Sequence, residues 1–267
     1  YIETLRRFID TMGDKPISEV SRHDVRLFLN QRKRAQNQLT GQTLSAYTVN
    51  QNFRTLRTFF RWCVREGYIE AAPTDGMKAP ALPKGLPRAL SPDQVRELLK
   101  AVNLASDYPA RNELLKTFFL DTGVRLSELV SLDVDSIDLE QGVAFIEQGK
   151  GNKDRVVPFG RKLSLQLHRY LRDHRRAWPG EKALFVSSRG TRLQSSSVNS
   201  ILTRLREKLS FHVSAHMLRH TFATEYLRNG GDLESLRRIL GHVSLSTTQI
   251  YLHLVQDDLV DAHRSVS

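Results

Sequence analysis

Apolar residues recur at helical spacing from the first positions of the chain. Ile2, Leu5 and Phe8 or Ile9 mark one face of an opening helix that ends near Gly13. Ser21, with Asp24 three positions on, has the form of a capped helix start, and Val25, Phe28 and Leu29 follow on one face. A polar loop over 35–46 leads to a longer helix from about Tyr47 to Glu66. Its apolar positions, Val49, Phe53, Leu56, Phe60 and Cys63, fall at steps of four, three, four and three. Between Ala71 and Leu90 stand Pro73, Pro80, Pro83, Pro87 and two glycines, a composition that reads as a linker. The expected division is a helical domain over 1–78, a linker over 79–90 and a second domain over 91–267.

The second domain opens with SPDQ, where Ser91 suits an N-cap and Pro92 the first helical turn. Helices are expected at about 91–103, 109–122 and 126–132. The period then changes to two. Gly142 to Glu147 alternates as a strand, GKGNK makes a turn, and Arg155 to Pro158 continues as a second strand. Helices return at about 161–176, 195–208, 217–229, 232–240 and 246–254, and Leu254 to Ala262 suggests a short tail helix. The fold class is mainly α, with one small β-sheet in the second domain.

Charge narrows the partners. The 267 residues include 40 Lys and Arg against 29 Asp and Glu, a net +11, and 40% are hydrophobic. Such a balance favours a polyanion, nucleic acid first. The basic excess is denser at the start: residues 1–90 hold 15 Lys and Arg against 8 Asp and Glu. Along the 47–66 helix, away from its apolar face, run Asn50, Arg54, Arg57, Arg61 and Arg65. A solvated surface explains such a stripe, and so does contact with DNA phosphates and base edges. The one cysteine, Cys63, excludes an intrachain disulfide and reads as core packing in a cytosolic protein. No apolar run reaches the ~20 residues of a membrane span, and no signal peptide is visible. The chain starts at Tyr1 inside a helical pattern, so a short preceding segment is expected.

Six polar residues carry the chemistry. TGVRLSEL supplies Arg125, GKGNK supplies Lys150, HMLRH supplies His216 and Arg219, and GHVSLSTTQIYLH supplies His242 and Tyr251. Attack on a phosphodiester raises negative charge on its non-bridging oxygens, and planar guanidiniums meet that charge with paired hydrogen bonds. Arg125, just after Thr-Gly at a helix start, and Arg219 form the candidate clamp. Tyr251 is the candidate nucleophile. A phenol with a reference pKa of about 10 needs charge stabilisation or a base to attack at neutral pH. His216 is placed to accept or relay its proton, and His242 to donate a hydrogen bond to the phosphate. Lys150, in a glycine-flanked turn, suits a general acid for the leaving 5′ oxygen, with Lys153 a close competitor.

Two rival sites fail on their patterns. His216 and His220 have the spacing of a zinc motif but lack its acidic residue, and an arginine stands between them. GKGNK lacks the full pattern of a phosphate-binding loop. Neither a metal nor another cofactor is expected.

TGVRLSELVSLDVDSIDL, GKGNKDRVVPF, HMLRHTFAT and LGHVSLSTTQIYLH together resemble the tyrosine recombinases of the phage-integrase family, most closely the bacterial Xer type. The resemblance spans nearly the whole chain. It implies an N-terminal core-binding domain of SAM-like helical fold and a catalytic domain of the DNA-breaking-rejoining fold, forming a clamp around DNA. It also implies a 3′-phosphotyrosyl intermediate, a Holliday junction, and a homotetramer, or heterotetramer with a paralogue, on double-stranded recombination sites. Glu128 matches the family's acidic position and is implied to buttress the site, and the segment after Tyr251 to dock into a neighbouring protomer. A DNA-reading helix of the catalytic domain is implied to begin near Gln194, with Ser195 and Ser196 where longer side chains are common in the family. The expected role is dimer resolution linked to chromosome partition in the cytoplasm, at the nucleoid. The alternatives are integration or resolution of a mobile element by the same chemistry, topoisomerase-like relaxation, and DNA binding without catalysis.

Overall fold

The computed structural model describes residues 1–36, 41–82, 89–101, 108–147, 154–175, 178, 180–252 and 254–255. The chain divides into two compact units, Tyr1–Gly85 and Leu86–Ser267.

The first unit is built on α1 (Ile2–Met12), α2 (Arg22–Arg34) and α3 (Ala46–Arg65). Ser21 caps α2: its hydroxyl accepts from Asp24 N while the Asp24 carboxylate accepts from Ser21 N. Phe8 stands edge-on to Phe28 and Phe60, with centroids 5.2 and 5.8 Å apart. Around them pack Val25, Leu29, Val49, Phe53 and Leu56, so the 4-3-4-3 pattern of α3 marks the buried face. Asn50 departs from expectation. It is only 8% exposed, and its Nδ2 donates to the Pro80 carbonyl at 2.7 Å. It anchors the proline-containing segment to α3, so it does not belong to the exposed basic stripe.

The second unit follows α4 (Pro92–Lys100), α5 (Pro109–Thr122) and α6 (Leu126–Ser131) with a three-stranded antiparallel sheet. The strands are β1 (Ile137–Asp138), β2 (Val143–Ile146) and β3 (Arg155–Pro158). Val143 faces Pro158 and Ile146 faces Arg155. Then come α7 (Arg161–Asp173), α8 (Ser195–Arg206), α9 (Ala215–Arg228), α10 (Leu233–Leu240) and α11 over 245–252. Ser91 caps α4 and Pro92 sits in its first turn, as expected, and Gln94 completes a capping box.

Helix α5 is buried nearly all round and packs against both α7 and α9. Its Lys116 is spent on structure, donating to the carbonyls of Leu98 and Ala101 at the end of α4. Helix α9 starts two residues earlier than its apolar pattern suggests, because the Ser214 hydroxyl accepts from Met217 N and fixes the first turn. Helix α7 stops at Asp173, short of the expected 176. Strand β1 and the 3-10 turns Ile17–Glu19 and Val134–Ser136 are too short for periodicity to mark. The GKGNK turn and most of the expected tail helix, 256–262, lie outside the described residues.

Candidate active site

Helix ends gather the site. Helix α5 finishes at Gly123 with φ +61, a left-handed conformation that favours glycine. A Cβ there would stand 2.2 Å from the ring of Phe222 on α9, so the close approach of α5 and α9 also requires glycine. The Gly123 carbonyl accepts from Arg219 Nη1 at 2.6 Å, and Arg219 Nη2 donates to the Leu240 carbonyl at 2.7 Å. Arg219 is 3% exposed. Burial, and then the neighbouring Arg125, bring its pKa down to about 10, so it stays a cation at neutral pH.

Arg125 is the N-cap residue of α6. Its backbone N donates to Glu128 Oε2 at 2.7 Å and its Nη1 to Oε1 at 2.8 Å. Its Nη2 reaches the Gly241 carbonyl at 3.4 Å. With a side chain 36% exposed, Arg125 is the more accessible of the two guanidiniums. Glu128 is also gripped by Arg155 of β3, a residue that sequence reasoning did not single out. Arg155 Nη1 and Nη2 meet the two carboxylate oxygens at 3.0 and 2.8 Å, and its Nε donates to the Ile239 carbonyl at 2.7 Å.

Gly241, with φ +66, ends α10 and turns the chain into His242. His242 Nε2 lies 3.0 Å from Arg219 Nη2, and its Nδ1 lies 2.9 Å from the Thr248 hydroxyl. A guanidinium only donates, so Nε2 is the acceptor and Nδ1 carries the proton in a neutral ring. Burial and the cations Arg219 and Arg125 hold the ring's pKa down, at about 4. The expected donor role toward a phosphate therefore requires a proton to reach Nε2.

Tyr251 on α11 is 2% exposed and packs with Phe222, Ala223, Leu236 and Leu240. Burial raises its pKa, while Arg219 and Arg125 pull it back. Its hydroxyl lies 2.7 Å from Nδ1 of His220. His216 is the expected acceptor or relay of this proton, and the phenol's own hydrogen bond runs to His220. His216 is exposed and sets its ring edge-on to His220, with centroids 4.8 Å apart. The sequence did carry a signal for His220: it lies next to Arg219 and one turn beyond His216.

The structure brings together Arg125, Glu128, Arg219, His242 and Tyr251, with His216 one residue removed behind His220. Lys150 and Lys153 lie outside the described residues. Helix α8 begins at Ser195 after Gln194, as expected, with Gln194 and Ser196 exposed and Ser195 half-buried. In the first unit Arg54, Arg61 and Arg65 are exposed and Arg57 is half-buried. Among the described residues, Arg57 Nε is buried with no hydrogen-bond partner.

Two guanidiniums, an imidazole and a phenol stand on converging helix ends, an arrangement suited to attack on a phosphodiester. The Phage integrase family profile matches residues 88–257, and the profile of its N-terminal SAM-like domain matches residues 1–70. Tyrosine recombinase XerC of Oceanobacillus iheyensis is 35% identical over 269 residues, 98% of this chain and 86% of that protein. Tyrosine recombinase XerD of Ralstonia nicotianae is 36% identical over 82% of this chain and 72% of that one. Among solved structures, XerA recombinase is 30% identical with a TM-score of 0.60, covering 98% of this chain and 90% of that chain. XerH bound to its palindromic difH substrate is 24% identical with a TM-score of 0.77, covering 98% and 78%, and testifies to the fold. The chain belongs to the phage integrase family of tyrosine recombinases. Its members include the Xer enzymes, site-specific recombinases that cleave and rejoin DNA through a tyrosine.

Proposed function

We propose that Tyr251 is the nucleophile with which this enzyme recombines double-stranded DNA at specific sites. The observation that carries this reading is the phenol's burial beside His220, within the electrostatic reach of both Arg219 and Arg125. The phenolic oxygen attacks phosphorus, the P–O5′ bond breaks, and a 3′-phosphotyrosyl bond forms as the 5′ hydroxyl leaves. Arg125 and Arg219 neutralise the charge that grows on the non-bridging oxygens. Lys150, or Lys153 beside it, protonates the 5′ oxygen. The phosphotyrosyl bond retains the energy of the bond it replaces, so rejoining to a partner strand needs no cofactor. Exchange through a Holliday junction then requires four protomers, identical or paired with a paralogue, on two sites. Arg54, Arg57 and Arg61 contact phosphates, and Gln194, Ser195 and Ser196 face the DNA from the start of α8.

The XerC and XerD names of the relatives support a role in resolving chromosome dimers, on the cytoplasmic DNA of the cell. No helix among the described residues is long and apolar enough to cross a membrane. A nicked duplex that traps the cleaved state tests the chemistry. The parent protein forms a covalent adduct and Tyr251→Phe forms none. An equal adduct in the variant removes Tyr251 from the role.

A further inference from the structure

We infer that Arg237 is a positioning residue for His242: it closes the turn at the end of α10 and fixes where the imidazole stands beside Arg219. This rests on Tyr251 being the nucleophile and on His242 facing the phosphate.

The last carbonyls of a helix have no partner within it, and they carry the negative end of its dipole. At the end of α10 four successive carbonyls each accept from a different arginine. Ile239 takes Arg155 Nε at 2.7 Å, Leu240 takes Arg219 Nη2 at 2.7 Å and Gly241 takes Arg125 Nη2 at 3.4 Å. His242 takes Arg237 Nη1 at 2.9 Å. The first three donors come from β3, α9 and the start of α6, and two of them form the phosphate clamp. The fourth lies on α10 itself and has no part in the proposed reaction. Every one of these bonds has a fixed direction, since a guanidinium only donates and a carbonyl only accepts.

Residue 237 holds His242 at both ends. His242 N donates to the Arg237 carbonyl at 3.0 Å, and the Arg237 side chain returns to the His242 carbonyl. The left-handed Gly241 between them lets the chain make this turn. Arg237 Nε and Nη2 each lie 2.7 Å from an oxygen of Glu234, one turn earlier on α10. All three guanidinium nitrogens are thus engaged, which orients the fork. The side chains of Glu234 and Arg237 are 47% and 27% exposed, so the pair adds little to stability. What it supplies is placement. The imidazole follows its backbone: Nε2 lies 3.0 Å from Arg219 Nη2, and Nδ1 lies 2.9 Å from the Thr248 hydroxyl. A shift of the peptide between Gly241 and His242 moves that ring, and with it the carbonyl that meets Arg125.

The test asks whether Arg237 acts through His242. Full-length parent, Arg237→Met, Arg237→Lys, Glu234→Gln, His242→Ala, Tyr251→Phe and the double variant Arg237→Met with His242→Ala are compared in single-turnover cleavage of the nicked duplex at saturating protein. DNA affinity and thermal melting are measured on the same preparations. Arg237→Met is expected to bind DNA within about twofold of the parent and to slow adduct formation about tenfold to a hundredfold, the scale of misplacing a group by up to an ångström. Arg237→Lys keeps the charge but not the fork, Glu234→Gln loosens the fork, and both are expected to fall between. In the His242→Ala background the Arg237→Met change slows adducts by less than about twofold. Equal slowing in both backgrounds overturns the inference. A second readout needs no activity. With histidine labelled for nitrogen NMR, the ring signals lost in His242→Ala identify His242. Arg237→Met is expected to move them and to leave the other ring signals largely in place. Unmoved His242 signals overturn the inference whatever the rates. If Arg237→Met melts early, the exposed Glu234→Gln carries the same two readouts. Parental cleavage by His242→Ala refutes the role of His242 at the phosphate, and adducts in Tyr251→Phe refute the nucleophile assignment, failures separate from this one.

Discussion

Arg155 grips Glu128 with a two-pronged ion pair, Nη1 to Oε1 at 3.0 Å and Nη2 to Oε2 at 2.8 Å, while its Nε holds the Ile239 carbonyl at 2.7 Å. Glu128 in turn holds the backbone and side chain of Arg125. One strand residue thus ties the start of α6 to the end of α10, just before His242. Both side chains of the pair are less than a tenth exposed. Arg155→Ala leaves a buried carboxylate short of its strongest partner and is expected to cost about 3 kcal/mol of stability. Arg155→Lys keeps the charge but not the fork, and retains less than full activity. The double variant Arg155→Met with Glu128→Leu recovers stability without recovering the adduct-forming rate, because Arg125 has lost its support. Urea unfolding and single-turnover cleavage separate the two effects. Full cleavage by the double variant contradicts a positioning role.

The same pair sets an acid limit. Burial by itself raises the Glu128 carboxyl, but the hydrogen bonds from Arg155 and the Arg125 backbone outweigh it and hold the pKa at about 2. The folded value lies below the unfolded one of about 4.3, so the contribution is complete above the unfolded value and fades as pH falls toward 2. The size is roughly 3 kcal/mol. The parent and Glu128→Gln are expected to differ most in urea midpoint at neutral pH and to converge near pH 2. A gap that persists at pH 2 contradicts this assignment.

Gly123 offers a sharper structural test. Its backbone is left-handed, and an added Cβ would collide with Phe222. Gly123→Ala is expected to destabilise by about 2–4 kcal/mol through strain and overpacking. It also shifts the carbonyl that seats Arg219, so cleavage falls even at temperatures where the variant is folded. Phe222→Leu in the same chain makes room for the methyl and recovers part of the stability but not the left-handed strain. Thermal melting of the parent and the two variants checks the order.

What the sequence makes legible here is what is local. The caps at Ser21 and Ser91 each bond within three residues, and the 4-3-4-3 pattern of α3 lies on one helix, so both are readable before folding. Asn50 follows the polar stripe of the same helix. Its burial depends on the Pro80 carbonyl thirty residues on, which periodicity does not register. Arg155 looks like an ordinary polar position of a strand until Glu128 and Ile239 arrive from other elements. His220 was seen only as half of a failed zinc pair, because its partner Tyr251 is thirty-one residues distant.

Salt dependence distinguishes the arginines of α3 from Asn50. If Arg54, Arg57 and Arg61 each neutralise one phosphate, each change to Ala lowers the slope of log K against log salt by about 0.9. Melting is little affected by Arg54→Ala and Arg61→Ala, since both side chains are exposed. Asn50→Ala shows the reverse, because it frees the Pro80 segment: lower stability with an unchanged salt slope. Fluorescence anisotropy over a salt series reads the slopes, and an unchanged slope in all three arginine variants removes α3 from the DNA contact.

The choice between Lys150 and Lys153 is settled by the leaving group. An alkoxide leaving from phosphorus needs a proton, whereas a thiolate, with a reference thiol pKa of about 8.5, leaves without one. A substrate with sulfur in place of the bridging 5′ oxygen therefore makes the general acid dispensable. Lys150→Ala is expected to slow cleavage of the oxygen substrate by about a hundredfold or more and to cleave the sulfur substrate at close to the parental rate. Arg125→Ala stays slow on both, because the charge on the non-bridging oxygens still needs its clamp. Lys153→Ala behaves like the parent on both substrates. If Lys153→Ala shows the rescue and Lys150→Ala does not, the acid is Lys153. If neither variant is rescued, the leaving oxygen takes its proton from another group.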